Sequence, residues 1–283
     1  RLFLIHVDRN EMKVDHDLFH RILYLAIKNA QAETSLHLHR SLLDPETYAG
    51  VIKGSCPPLN QLIESAANTG LIEIKDDHYV LLPKLKEEHA FDEVRIENPL
   101  AVYDNEMEPL KHAVSALDKA IKDATKLSDQ ALAQHRFDDE VKSYEWDKNA
   151  HNKPRHAEIN EQQTATEPAE PYLLTPRKSN GLGVVLVHGF LATPAELRGF
   201  ADKLLAAGHP VMGVRLKGHG TSPWDLRDRT WEEWLSSVRR GFKIMSALAD
   251  KVCVIGFSSG GALALHLAAE NPDKIAGVCA VSA

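Results

Sequence analysis

The segment from Lys251 to Glu270 reads Lys-Val-Cys-Val-Ile-Gly-Phe-Ser-Ser-Gly-Gly-Ala-Leu-Ala-Leu-His-Leu-Ala-Ala-Glu. It begins with a short, partly β-branched apolar run, Val252 to Ile255, which is typical of a buried parallel strand. An Ala- and Leu-rich pattern, typical of a helix, begins at Ser259. Between the two lies the pattern G-x-S-x-G, formed by residues 256–260. The sequence therefore predicts a sharp turn from strand to helix with Ser258 at its apex.

Ser258 is the strongest candidate for a catalytic residue. A serine on such a turn is held in a strained conformation, with its hydroxyl exposed above the sheet. Gly256 and Gly260 lack a Cβ, which lets the strand and the helix approach closely around the turn. G-x-S-x-G also occurs by chance, but here a predicted strand precedes it and a predicted helix follows it. This context favours a nucleophile.

Composition limits the class of protein. Of the 283 residues 43% are apolar and 26% are charged, as in soluble globular proteins. The net charge of −7 argues against an extended nucleic-acid interface. Of the three cysteines, Cys253 and Cys279 fall in predicted strands, which favours buried thiols and a cytoplasmic location. The longest apolar run near the start, residues 22–27, is too short to cross a bilayer.

Residues 1–146 are predicted to form a mostly helical amino-terminal region. Asp15 to Ala30 has a helical apolar pattern, and Pro57 to Leu82 reads as a helix followed by a hairpin around Asp76-Asp77. The helix and hairpin of Pro57 to Leu82 resemble a small winged-helix element. Its helix carries no Lys or Arg, so a structural or partner-docking role is predicted, not DNA binding. Residues 147–171 are polar and proline-containing, which predicts a flexible linker.

Residues 172–283 alternate between strand and helix patterns, which indicates an α/β domain with a parallel sheet. The predicted strands are residues 183–188, 210–216, 252–255 and 275–281. Four motifs in this part occur in a recognisable order: His188-Gly-Phe190, Leu216-Lys-Gly-His-Gly-Thr221, Thr230-Trp-Glu-Glu-Trp234 and the turn at Ser258.

From Pro171 to Ala283 these motifs resemble the α/β-hydrolase family, and in particular small bacterial carboxylesterases and monoacylglycerol lipases. The resemblance implies that Ser258 attacks an ester carbonyl. It also implies that the backbone N–H groups of Phe190 and Ser259 form the oxyanion hole. His188 and His219 are expected to shape loops, and His266 to pack or be exposed. The implied partner is a small ester, and the resemblance is also compatible with peripheral contact to a membrane or lipid. No metal or organic cofactor is implied.

The family's chain order places an acid and then a histidine after the serine. Only His266 follows Ser258, and it lies on the helix leading away from the turn. We therefore expect the acid and base to lie beyond Ala283, the hydrolase domain to be incomplete and this chain by itself to hydrolyse esters poorly.

The whole sequence is compatible with further functions. The first 146 residues, chiefly through residues 96–109, resemble the carboxy-terminal region of bacterial glycerolipid acyltransferases. The full protein would then join acyl transfer to acyl hydrolysis, or have acyl transfer as its main activity. The spacing of His39 and Asp44 matches that family's H-x4-D motif, but a chain with 15 histidines contains such a spacing by chance. A non-catalytic binding module would also fit the motifs of residues 172–283, as would a cofactor-free haloperoxidase or acyltransferase on the hydrolase fold.

Overall fold

The computed structural model describes residues 13–33, 37–54, 56–86, 111–165 and 167–283. The chain divides into two units, Arg1–Leu127 and Ser128–Ala283. The division therefore falls before the predicted linker at 147–171. Among the described residues, no helix combines the length and the apolar character needed to span a membrane.

The described part of the first unit contains a small antiparallel sheet with helices. The strands lie in the order β1-β3-β2, and the predicted helix and hairpin are both present. The turn of the hairpin contains Asp76 at φ 47°. The elements are β1 (Lys13–Asp15), α1 (His16–Ala32), α2 (Pro45–Tyr48), α3 (Pro57–Asn68), β2 (Ile72–Lys75), β3 (His78–Leu81) and α4 (Lys111–Ala124), with 3-10 turns at Arg40–Leu42, Ala49–Lys53 and Pro83–Lys86.

Two sequence predictions in this unit concern the proposed acyltransferase resemblance. His39 Nδ1 accepts a hydrogen bond from the Ser41 N–H, and Asp44 Oδ1 accepts one from the Glu46 N–H, so each side chain caps a short helical turn. No hydrogen bond joins His39 to Asp44 in the described part of the chain. Residues 96–109 lie outside the described residues, and the resemblance stays a prediction.

The second unit contains a mixed sheet in the strand order β4-β6-β5-β7-β8. β4 pairs antiparallel with β6, and the other neighbours are parallel. The inner strands β5, β6 and β7 carry the buried valine, leucine and methionine side chains that pack against the helices. The elements are α5 (Asp129–His151), α6 (Ala157–Asn160), β4 (Tyr172–Leu174), β5 (Leu182–Val187), α7 (Arg198–Ala206), β6 (Val211–Val214), α8 (Pro223–Arg227), α9 (Trp231–Ser246), β7 (Lys251–Phe257), α10 (Ser259–Glu270) and β8 (Ile275–Val281), with 3-10 turns at Pro154–His156 and Pro194–Leu197.

Helix α5 corrects the predicted domain boundary. The sequence predicts an exposed segment up to residue 146 and a flexible one from 147, yet the helix continues to His151 and packs on α9 within the second unit. Leu132, Ala133 and Tyr144 are buried, and Ala133 joins the core of the sheet. Charged residues before position 147, which suggest exposed helices in the sequence, are paired inside the unit. Glu140, for example, binds Arg240 Nε at 2.5 Å.

Candidate active site

Ser258 lies between the end of β7 and the start of α10, at φ 53° and ψ −124°. A positive φ is unfavourable for a residue with a Cβ and typically costs ~1–3 kcal/mol. Backbone hydrogen bonds on both sides hold the residue there. The Ser258 N–H donates to the Val281 carbonyl of β8 at 2.8 Å, and the Ser258 carbonyl accepts from the Gly261 N–H at 2.8 Å. The strained turn predicted from the sequence is present.

Gly256 and Gly260 allow the close crossing of β7 and α10. A Cβ on Gly256 would overlap the backbone carbonyl group of Gly260. A Cβ on Gly260 would overlap the backbone carbonyl oxygens of Val187 and His188, at the end of β5. Backbone atoms packed on both sides cannot give way as a flexible side chain would. Both positions therefore require glycine, as the sequence predicted.

The loop that follows β5 lies directly against the serine. A Cβ on Gly189 would lie 3.3 Å from Ser258 Cβ and 3.3 Å from the Phe257 carbonyl oxygen. Phe190 comes next, with its ring about half exposed, and Leu191 has φ 62°. Neither the Phe190 N–H nor the Ser259 N–H donates a hydrogen bond to the described residues. The predicted role of both amides as oxyanion donors stays a prediction.

His188 is only 1% exposed and holds two loops together. Its Nδ1 lies 2.8 Å from the Gly189 carbonyl oxygen, and its Nε2 lies 3.2 Å from the Leu216 N–H. Because a carbonyl only accepts, Nδ1 carries the proton and Nε2 accepts from Leu216. Burial, together with the neighbouring His219, lowers the pKa of His188 to about 3. Its contacts are those of a neutral residue that shapes the loop.

A cavity of about 440 Å³ opens beside this loop. Phe190, His219 and Trp234 line it, and residues 162–165 contribute to its wall. The three rings touch one another, with centroids 5.3 to 5.9 Å apart. His219 Nε2 and Trp234 Nε1 are buried without a hydrogen-bond partner in the described part of the chain. Burial lowers the pKa of His219 to about 4, so this side chain is neutral near pH 7.

The remaining polar side chains that the sequence analysis considered are His266 and the hydroxyl groups of Ser258 and Ser259. His266 is half exposed, and its Nε2 lies 3.2 Å from Glu270 Oε1 on the same helix. The Ser259 hydroxyl is buried and has no hydrogen-bond partner among the described residues. The described residues also offer no hydrogen-bond partner to the Ser258 hydroxyl. No cluster of potential metal ligands occurs in the part of the chain that the structure describes.

Ser258 is not among the residues that line the cavity, which meets the site only through Phe190 and Leu191. Sequence reasoning missed two features close to this loop. Residues 162–165 fall in the predicted linker, although they form part of the cavity wall. Asp147 falls at the start of that linker, although it is 4% exposed and pairs with Arg215 and Lys217. Neither position carries a local motif, so no signal in the sequence identifies them.

A mostly parallel sheet, a strained serine between strand and helix, and a glycine-containing loop beside that serine define the α/β-hydrolase type. The second unit has this architecture. Consistent with it, residues 184–283 match the sequence profile of the alpha/beta hydrolase family.

Several of the proteins that resemble this chain are named as lipases or esterases. A thermostable monoacylglycerol lipase of Bacillus sp. is 37% identical over 125 residues, covering 44% of this chain and 48% of the lipase. A carboxylesterase of Bacillus subtilis is 29% identical over 105 residues, covering 36% of this chain and 43% of the esterase. A solved structure of a metagenome-derived lipolytic enzyme shares 30% identity over 41% of this chain and 46% of its own, with a TM-score of 0.38. The chain spans about half the length of the relatives it matches.

Proposed function

We propose that this protein is a serine hydrolase of carboxylic esters, with Ser258 as its nucleophile. The observation that carries the proposal is the strained serine at φ 53° with the Gly189–Phe190 loop packed against it. Support comes from the lipase and the carboxylesterase that share this segment. An ester of a small or lipid-like alcohol is the proposed substrate class.

In the proposed reaction, Ser258 Oγ forms a bond to the carbonyl carbon of the ester while the carbonyl π electrons move to oxygen. The N–H groups of Phe190 and Ser259 stabilise that oxyanion, and the position of Ser259 at the start of α10 adds the positive end of the helix dipole. A general base takes the serine proton and delivers it to the departing alkoxide. Water then attacks the acyl-enzyme, releasing the acid and restoring the hydroxyl.

The cavity supports an uncharged substrate. Arg229, which lines it, already binds Asp225 Oδ1 through Nε at 2.9 Å and Glu233 Oε1 through Nη1 at 3.0 Å. His219 is neutral, and the neighbouring walls are aromatic. The second arginine in the lining, Arg227, lies with its Nε 3.5 Å from Asp228 Oδ1 and its guanidinium over the Trp224 ring. A neutral ester fits such surroundings better than an anion does, because both arginines already face a carboxylate.

Location and further domains also belong to this proposal. The predicted burial of both strand cysteines is wrong, because Cys279 is exposed and Cys253 only partly buried. All three cysteines are nevertheless free, which supports a reducing compartment such as the cytoplasm. Contact with a lipid surface would suit a lipase-like substrate. An acyltransferase activity in the amino-terminal region stays a prediction that rests on residues 96–109.

The full-length protein tests the proposal through reaction with a fluorophosphonate and hydrolysis of p-nitrophenyl butyrate. We expect peptide mapping to find the phosphonate on Ser258 and Ser258→Ala to lose at least ~10³-fold in kcat. Ser236→Ala, a change on helix α9, is the control and should keep both activities. Full hydrolysis by Ser258→Ala, or labelling at Ser259 in its place, would contradict the proposal. A folded protein that reacts with neither reagent would favour a binding module.

A further inference from the structure

Two buried cations follow strand β6 and share one carboxylate from helix α5. Asp147 Oδ2 binds Arg215 Nη2 at 3.0 Å, and Asp147 Oδ1 binds Lys217 Nζ at 2.8 Å. All three side chains are about 5% exposed. Asp225 Oδ2 also lies 3.9 Å from Arg215 Nη2, but Asp147 is the carboxylate within hydrogen-bond distance of both cations. Removing one partner of a buried ion pair is strongly unfavourable, so Asp147 helps to hold the segment from Arg215 to Lys217 against α5.

That segment is joined to the loop beside Ser258. The Arg215 Nε–H donates to the His219 carbonyl at 2.9 Å, and the Leu216 N–H donates to His188 Nε2 at 3.2 Å. His188 Nδ1–H in turn donates to the Gly189 carbonyl at 2.8 Å. A continuous set of hydrogen bonds and covalent bonds thus runs from Asp147 to the Gly189 carbonyl.

The Gly189 carbonyl belongs to the same peptide group as the Phe190 N–H. A trans peptide is planar, and its C=O and N–H point in opposite directions. The His188 Nδ1–H at 2.8 Å and the Ala192 N–H at 3.2 Å both donate to this carbonyl, so His188 contributes to fixing the direction of the Phe190 N–H. If this peptide rotated, the N–H would turn with it and could no longer donate to the same point.

We propose that Asp147 is a positioning residue for the Phe190 N–H, acting through Arg215, Leu216 and His188. The inference rests on the proposed function, because that function makes the Phe190 N–H an oxyanion donor. Asp147 lies outside residues 184–283, the segment that matches the hydrolase family. Through Asp147 alone, the carboxy-terminal end of helix α5 would then act on the site from outside that segment.

The test uses the full-length protein and the substitution Asp147→Asn, which keeps the side-chain shape and removes the charge. Active molecules are counted by titration with the fluorophosphonate, so that kcat is expressed per reactive serine. We expect kcat per reactive serine to fall about 10- to 100-fold with KM within twofold, because losing one oxyanion donor entirely costs ~10²–10³. The control is Asp138→Asn on the same helix, where the exposed carboxylate accepts a hydrogen bond from Gln134, one turn away. It should behave as the unaltered protein.

The outcomes separate this inference from the proposed function. Loss of activity in Ser258→Ala together with an unchanged kcat per reactive serine in Asp147→Asn would overturn the inference alone. A reduced number of reactive serines with unchanged kcat would also overturn it, because it would show a purely structural role. Hydrolysis by Ser258→Ala would overturn the proposed function first.

Should Asp147→Asn fail to fold, Asp147→Glu is measured in the same way, because it keeps the charge but shifts the carboxylate by one methylene. A several-fold loss of kcat per reactive serine in Asp147→Glu supports the inference. An unchanged kcat in that variant overturns it.

Discussion

Ser258 has a backbone conformation that a glycine would adopt more easily. At φ 53° the strain typically costs ~1–3 kcal/mol, whereas glycine adds only ~0.5–1 kcal/mol of chain entropy to folding. We therefore predict that Ser258→Gly is more stable than Ser258→Ala by about 1 kcal/mol, although both are inactive. Urea unfolding followed by tryptophan fluorescence measures the difference. A less stable glycine variant would show that the turn is not strained.

The site residues differ in how far the sequence predicts them. Ser258, Gly256 and Gly260 could be identified because the elbow is local, with every spacing contained in one strand, one turn and one helix. Asp147 could not, because its partners Arg215 and Lys217 lie 68 and 70 residues away. A carboxylate in a polar helix looks solvated until the fold brings two cations to it.

At the scale of elements, the crossing of β7 and α10 depends on the absence of side chains. We predict that Gly260→Ala lowers the free energy of unfolding by ~1–3 kcal/mol, because the new Cβ would overlap the backbone carbonyl oxygens of Val187 and His188. The same displacement should abolish labelling of Ser258. The measurements are urea unfolding and fluorophosphonate labelling.

The matched control is Gly199→Ala in helix α7, where a Cβ would have open space. Alanine suits a helix better than glycine does, so this variant should be as stable as the original or more stable by up to ~1 kcal/mol. If Gly260→Ala behaved like Gly199→Ala, the close crossing would have no energetic consequence.

Helix α5 shows why composition is misleading at this scale. Residues 147–171 are polar, and such segments usually cannot bury enough apolar surface to fold. Here the polar groups are satisfied by other polar groups: Asp147 by two cations, and Asn160 Oδ1 by the Ser222 hydroxyl at 2.5 Å. Pairing between distant side chains is not visible in composition, so the predicted boundary lies too late in the chain.

At the scale of the whole molecule, two buried neutral histidines make the second unit sensitive to acid. The pKa of His188 is lowered to about 3 and that of His219 to about 4, against an ordinary value of 6.5. Between pH 6.5 and 4 the unfolded chain therefore binds more protons than the folded one. The stabilising contribution is complete above about pH 6.5 and is lost as the pH falls, by up to ~1.4 kcal/mol per pH unit for each histidine.

Tryptophan fluorescence can measure this effect in the second unit alone, because all four tryptophans of the chain lie after residue 128. We predict that the free energy of unfolding of His219→Gln depends less steeply on pH between 6 and 4.5 than that of the unaltered protein. The slope should correspond to up to one proton fewer taken up on unfolding. His266→Gln, at a half-exposed position on α10, is the control and should keep the original slope. Identical slopes in all three proteins would contradict the prediction.

The pairing of α5 with the segment after β6 also bears on how the second unit could be produced by itself. A gene trimmed to residues 184–283 would encode Arg215 and Lys217 without Asp147. Arg215 would keep Asp225, whose Oδ2 lies 3.9 Å from its Nη2, but both buried cations would lose the carboxylate that lies within hydrogen-bond distance of them. We therefore expect a polypeptide that begins upstream of Asp147 to be more stable than one that begins at residue 184.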